Sequence, residues 1–160
     1  FAVLSGAVVL SSYSFRSMIE SPITSLVLLF LFLALLLLTA VHEGIHALTC
    51  AMFAKDRWKA IRFGVIWKAL TPYCTCAQPM KRGQYILGAA MPTLVLGIGL
   101  TAAAARTGIF WVFILALAMI FSGGGDFTII LKILLHRQHG KEAVYYDHPY
   151  ECGVIVFEKD

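Results

Sequence analysis

Three long apolar stretches dominate the pattern of polar and hydrophobic positions. Residues 21–41 hold 21 consecutive positions without a charge, residues 83–105 hold 23 and residues 107–125 hold 19, with apolar residues resuming from Phe127 to Leu131. A bilayer core takes about 20 apolar residues of helix, so each stretch predicts a membrane-spanning helix. The first opens at Ser21-Pro22, where proline suits a helix start, and is expected to run to about residue 52. The other spans are expected near residues 84–105 and 108–135. A loop at 53–83 and a tail at 136–160 complete one membrane-embedded domain, residues 1–160, with no internal repeat. Residues 1–15 are apolar but short and Ser-rich. A truncated span, a strand and an interfacial segment all fit them, so a fourth N-terminal element is an open expectation. The Phe at the start suits a processed or trimmed product, and the basic start of a signal peptide is missing.

Between the first two spans the period changes. Ile61, Phe63, Val65 and Trp67 alternate with Arg62, Gly64 and Ile66, the pattern of a half-buried strand. Thr71-Pro72 reads as a break, residues 73–77 as a short return strand, and Gln78-Pro79 as its end. The fold class is therefore an α-helical integral membrane protein of about three helices, with a small β-hairpin at one face. Within the second span Pro92 predicts a kink, while Gly97, Gly99 and a run of alanines predict close helix packing. Gly123-Gly124-Gly125 should loosen the third helix beside Asp126. Irregular backbone at membrane depth is tolerated only where it is buried in protein or lines a cavity. Residues 153–158 read as extended.

Composition supports the membrane class, with 59% hydrophobic and 14% charged residues. The net charge of +4 is local in origin and does not point to nucleic acid. Lys55, Arg57, Lys59, Arg62, Lys68, Lys81 and Arg82 lie between the first two spans against Asp56 alone, whereas Arg106 is the sole charge between the second and third. The positive-inside rule then places the 53–83 loop in the cytoplasm, and three spans put the tail there too. The small size suits a bacterial inner membrane. The four cysteines, Cys50, Cys74, Cys76 and Cys152, fall on or near that side, where thiols stay reduced. No CxxC or Cys/His box accompanies them, so they read as packing thiols.

The chemistry sits where the first span ends. His42-Glu43-Gly44-Ile45-His46 is an HExxH motif, which on a helix sets two imidazoles one turn apart on one face with a carboxylate beside them. Ionisable groups at membrane depth cost roughly 2.5–3.5 kcal/mol each on insertion scales and usually mark function. A catalytic zinc ion takes three protein ligands and leaves one position open, so a third ligand is needed, and Asp126 is the candidate. Counted from Pro22, His42 lies roughly 30 Å along its helix, and counted from Gly108, Asp126 lies roughly 27 Å along a helix running the same way. Both therefore reach similar depths near the cytoplasmic face. Glu43 is the candidate proton carrier. Cys50 shares the face of His46 but lies about 12 Å from His42, too far to join the same ion on a straight helix. Ser122, Tyr145 and His148 are candidates for an oxyanion donor. His136, His139 and His148 read as solvated tail residues, and Gly44 as a point of close helix approach.

Taken in order, HExxH on one apolar helix, an intervening helix and Gly125-Asp126 on a third resemble the site-2 protease clan of intramembrane zinc metalloproteases. The chain looks closer still to a bacterial family of small membrane zincin peptidases known as a domain of unknown function. That likeness is carried by His42 to His46, Phe63-Gly64, Tyr73-Cys74, Ala90-Met91-Pro92, Gly125-Asp126, and Asp147-His148-Pro149 with Gly153. It implies zinc held by His42, His46 and Asp126, with Glu43 as catalytic acid/base. Phe127 follows the aspartate where site-2 proteases usually have Gly, and the chain contains no Asn. The expected activity is zinc-dependent peptide hydrolysis near the cytoplasmic face, with membrane lipid and a peptide or transmembrane protein as partners. The alternative is a non-catalytic membrane protein with a structural or sensory zinc site. A metal transporter is a weaker reading, since one ligand cluster near one face makes no path.

Overall fold

The computed structural model describes residues 22–67, 71–139, 142–148 and 153–159. The expected N-terminal element at residues 1–15 lies outside them. Two compact units are distinguished, Phe1–Leu36 and Leu37–Asp160, and every feature of the candidate site belongs to the second.

Helix α1 spans Pro22–Phe53. Its leucine-rich sequence favours helix, and no charge interrupts it before His42. Up to Leu36 it exposes Leu26, Phe30, Phe32 and Leu33, a surface that water does not favour. Beyond Ala54 the chain turns at Arg57, whose φ of 49° is in the left-handed region, and makes one 3₁₀ turn at Arg57–Ala60.

The predicted hairpin follows. Strand β1 (Ile61–Ile66) pairs antiparallel with β2 (Thr71–Cys76), in a register running from Ile61 opposite Cys76 to Ile66 opposite Thr71. Thr71 and Pro72 are thus not a break but the first residues of β2. Proline is compatible with an edge strand, where its missing N–H faces away from the partner.

A second sheet was only partly foreseen. Strand β3 (Met80–Lys81), just before helix α2 (Arg82–Pro92), pairs with β4 (Glu142–Asp147), which pairs in turn with β5 (Val154–Lys159). The tail is therefore folded, not simply solvated. His136 Nε2 lies 2.8 Å from Glu158 Oε1, and the His139 backbone N–H donates to Glu158 Oε2 at 3.0 Å. Arg82 donates to the carbonyls of Ile133 and Leu134 at 3.0 and 2.9 Å. It thereby satisfies acceptors at the end of helix α5 (Gly124–Leu135) that have no partner within that helix. The buried core gathers Cys50, Ala54, Ala60, Cys76, Met80, Tyr85, Ile133 and Tyr145 from α1, both sheets, α2 and α5.

Past Pro92 the second long helix widens into a π-helical segment, Thr93–Ile98, before α3 (Gly99–Thr107). This is the local adjustment expected where proline removes a ladder hydrogen bond. Gly108 closes α3 with φ of 67°. Helix α4 (Phe110–Ser122) then runs to a one-residue break at Gly123, and α5 follows. The triple glycine thus interrupts the helix at its first member. A Cβ at Gly123 would lie 2.1 Å from Thr93 Oγ1, so absence of a side chain lets the break sit against the π-helical segment. Three helices, Thr24–Phe53, Arg82–Thr107 and Phe110–Leu135, are long and apolar enough to cross a membrane.

Replacing Gly123 with Ala should lower stability by about 1–3 kcal/mol, the usual cost of overpacking. Thermal unfolding in detergent should show most of that loss restored in Gly123→Ala with Thr93→Ala. Equal midpoints for wild type and Gly123→Ala would mean the contact at Thr93 yields freely.

Candidate metal centre

Helix α1 presents His42 and His46 from adjacent turns, with ring centroids 4.9 Å apart and planes at 77°. Asp126, in the first turn of α5, comes to meet them. Its Oδ2 lies 3.1 Å from His42 Nε2 and its Oδ1 3.3 Å from His46 Nε2. Each residue offers one ligand atom, and the three atoms lie within 4.8 Å of one another. His42 is 4% exposed, and the other two are partly buried. Residues 84 positions apart in sequence are therefore in contact, at the shared depth that helix counting predicts.

The hydrogen bonds favour a cation at this point. His46 Nδ1 is 2.9 Å from the Gly88 carbonyl. A carbonyl only accepts, so Nδ1 carries the proton, and in the neutral ring Nε2 presents a lone pair. That lone pair faces a carboxylate oxygen, an arrangement that repels unless a proton or metal ion lies between. Orientation of one imidazole nitrogen by a backbone carbonyl is the usual outer contact of a metal-binding histidine. Two imidazoles and a carboxylate are also a donor set that suits zinc. Gly88 is buried, and a Cβ at that position would lie 3.4 Å from Cys50 Sγ, an ordinary van der Waals distance.

Glu43 projects from the same helix, and the backbone of Cys74 on β2 lies near enough to its carboxylate to interact with it. The hairpin therefore reaches the motif directly. Two residues along β2, the Cys76 N–H donates to Asp147 Oδ2 at 2.6 Å, and Asp147 Oδ1 accepts the Tyr85 hydroxyl at 2.5 Å. Burial pushes the Asp147 carboxyl above its ordinary range, while these two donors pull it back. Burial first, then the charges of Glu43 and Asp147, push the Cys74 thiol up to about 12. It stays protonated near neutral pH, as does Cys76, also raised mainly by burial. Neither is therefore a ready thiolate nucleophile. Cys50, Cys74 and Cys76 are free thiols.

A cavity of about 610 Å³ opens beside these groups, lined by His42, Glu43, His46, Asp126, all of β2, Ser122 and His148 among others. Two of the three oxyanion candidates, Ser122 and His148, thus reach the cavity. Tyr145 does not, because it is fully buried in the core with its hydroxyl unpartnered. For Gly44 no close approach is seen among the described residues, where a Cβ would meet nothing within 4 Å. Asp147 and Tyr85, which line the cavity, carry contacts the sequence did not announce. Asp147 stood in a recognisable Asp-His-Pro motif, but no periodicity paired it with Tyr85 or Cys76.

A profile for the family described as "putative zincin peptidase" matches residues 35–140. The chain belongs to this family. Zinc is the cofactor that family membership implies, and the match encloses the HExxH motif and Asp126. No curated protein and no solved structure matches the chain.

Mass spectrometry of purified protein should find about one zinc per chain, lost in both His46→Ala and Asp126→Ala and kept in Cys50→Ala. Zinc retained by Asp126→Ala would remove that residue from the ligand set.

Proposed function

We propose that this zincin-family protein is a membrane-embedded zinc metalloendopeptidase that hydrolyses peptide bonds near the cytoplasmic face of a bacterial inner membrane. The observation that carries this reading is the convergence of His42, His46 and Asp126, with Glu43 adjacent and a cavity alongside. Among the described residues the cluster comprises three ligands and no fourth, which supports a catalytic over a structural centre.

His42 Nε2, His46 Nε2 and one Asp126 carboxylate oxygen hold the ion in this reading. When bound, zinc supplies Lewis acidity, polarising a carbonyl and making a nearby water a stronger acid. Glu43 takes the proton from the attacking water and delivers it to the leaving amine, as a carboxylate within reach of both can. The Cys74 backbone beside that carboxylate helps to keep it at the cavity in this reading. Strand β2 contributes a second role. Its residues line the cavity, so a substrate unwound to an extended strand can lie beside Glu43 and donate to the strand's outward carbonyls. Substrates are therefore peptides or transmembrane segments that can unwind locally.

Exposed Lys55, Arg57, Lys59, Arg62 and Lys81 flank the hairpin, supporting a cytoplasmic position for it and for the β3–β4–β5 sheet. The apolar helices would then cross the bilayer in contact with lipid.

Glu43→Gln should keep zinc at wild-type stoichiometry while losing 10²- to 10⁴-fold in turnover of an unstructured peptide. Chelation should abolish wild-type turnover, and added zinc should restore it. Wild-type protein that holds zinc yet cleaves no peptide, with Glu43→Gln indistinguishable from it, would point to a structural or sensory metal site.

A further inference from the structure

We propose that Asp147 is a positioning residue that aligns Glu43 and His46 at once, through two different backbone segments. The proposal rests on the metallopeptidase reading above for the roles of those two residues. Asp147 lies beyond the residues matched by the family profile and touches neither side chain in its hydrogen bonding. Each of its oxygens instead holds an element that does.

Oδ2 accepts the Cys76 N–H at 2.6 Å. The backbone of Cys74, two residues back on the same strand, faces the Glu43 carboxylate, and both line the cavity. Backbone groups two residues apart on a strand point the same way, so Cys74 and Cys76 present one row of donors on the edge of β2 away from β1. Asp147 fixes one end of that row, and Glu43 meets the other. Oδ1 accepts the Tyr85 hydroxyl at 2.5 Å. Gly88, one helical turn along α2 from Tyr85, supplies the carbonyl that accepts His46 Nδ1–H at 2.9 Å. The same carboxylate therefore sets the position of β2 against α2, and with it the separation of the two outer contacts of the HExxH motif.

The surroundings make this bridge specific. Tyr85 is 6% exposed and Cys76 2% exposed, so neither donor has water as an easy substitute. A buried donor left without an acceptor is costly. Pro72 has no N–H to give, and the base of the hairpin is held at the surface by Asp56 and Gln78. Geometry, not charge, is what the bridge supplies. An asparagine can accept the Cys76 N–H through its oxygen and donate to the tyrosine oxygen through its amide nitrogen.

The test uses the full chain in detergent loaded with cobalt(II), comparing wild type, Asp147→Ala, Asp147→Asn, Tyr85→Phe and the surface control Asp56→Asn. The readouts are the visible cobalt spectrum, cobalt affinity by chelator competition, and deuterium uptake in residues 71–76. Asp147→Ala should weaken cobalt binding about 10- to 100-fold, the range for lost outer contacts, shift the visible bands and speed uptake in β2. Asp147→Asn should restore all three, and Asp56→Asn should match wild type. Should Asp147→Ala fail to fold, Tyr85→Phe decides, since it cuts only the α2 arm. It should shift the spectrum while β2 uptake stays near wild type. A wild-type spectrum and affinity in Asp147→Ala, or in Tyr85→Phe when Asp147→Ala does not fold, overturns the proposal, as does failure of Asp147→Asn to rescue. Wild type that binds cobalt but cleaves no peptide refutes the peptidase reading alone, and the spectra and uptake still decide this one. Wild type that binds no cobalt refutes both.

Discussion

The contact of Asp126 with two imidazoles is the constraint on which the rest of the site depends. A carboxylate and a histidine pair placed where water is scarce are each expensive. Held within 4.8 Å of one another, they offset that expense only if positive charge lies among them. With Nδ1 committed to the Gly88 carbonyl, His46 Nε2 faces Asp126, a place that a metal ion or a second ring proton can fill. The surroundings hold three donors at that spacing: a carbonyl on α2 that orients His46, a helix break that puts Asp126 in a first turn, and a strand whose backbone lies beside Glu43.

The hairpin and the tail sheet serve the same end from outside the helices. Helices alone fix positions along their axes, yet a side chain such as Glu43 has several rotamers and no intrinsic reason to face the cavity. The backbone of β2 at Cys74, close beside that carboxylate, supplies one. That strand needs a fixed register, which pairing with β1 gives, and a fixed distance from the helices. The second sheet secures the latter, because β3 leads straight into α2 and pairs with β4, which ends at Asp147. Local order in the tail is thereby coupled to alignment at the metal centre.

Much of this was legible in the sequence where one period dominates. The apolar runs give the long helices, the alternation from Ile61 gives β1, and HExxH with Asp126 gives the cluster, since helix rise alone puts His42 and Asp126 at one depth. What escaped was non-local. Met80 and Lys81 are too few to show a strand period, and they become β3 only because β4 arrives from residues more than 60 positions later. Thr71-Pro72 looked like a break because proline lacks a donor, but on an edge strand that donor is not needed. Tyr145 had a suitable hydroxyl for catalysis, yet its place in β4 sends it into the core. Gly44 illustrates the opposite case: glycine in a long apolar helix suggests a close neighbour, and among the described residues none lies within 4 Å of a would-be Cβ.

The triple glycine links these levels. A continuous helix through residue 123 would carry a side chain into Thr93, so the close approach at that point requires glycine. The interruption there makes Gly124 the start of a new helix and puts Asp126 in its first turn. At a helix start the peptide dipoles favour an anion, by about 0.3–1 kcal/mol at exposed sites and up to ~2 where partly buried. The break therefore does more than aim the carboxylate. It makes the ionised form, the one that a zinc ion needs, easier to keep in an apolar surrounding. Gly125, with nothing within 4 Å of a would-be Cβ, is not demanded by packing in this way. On this argument, the first glycine of the three is fixed by sterics and the position of Asp126 by electrostatics, and the sequence spacing between residues 123 and 126 is what joins the two requirements.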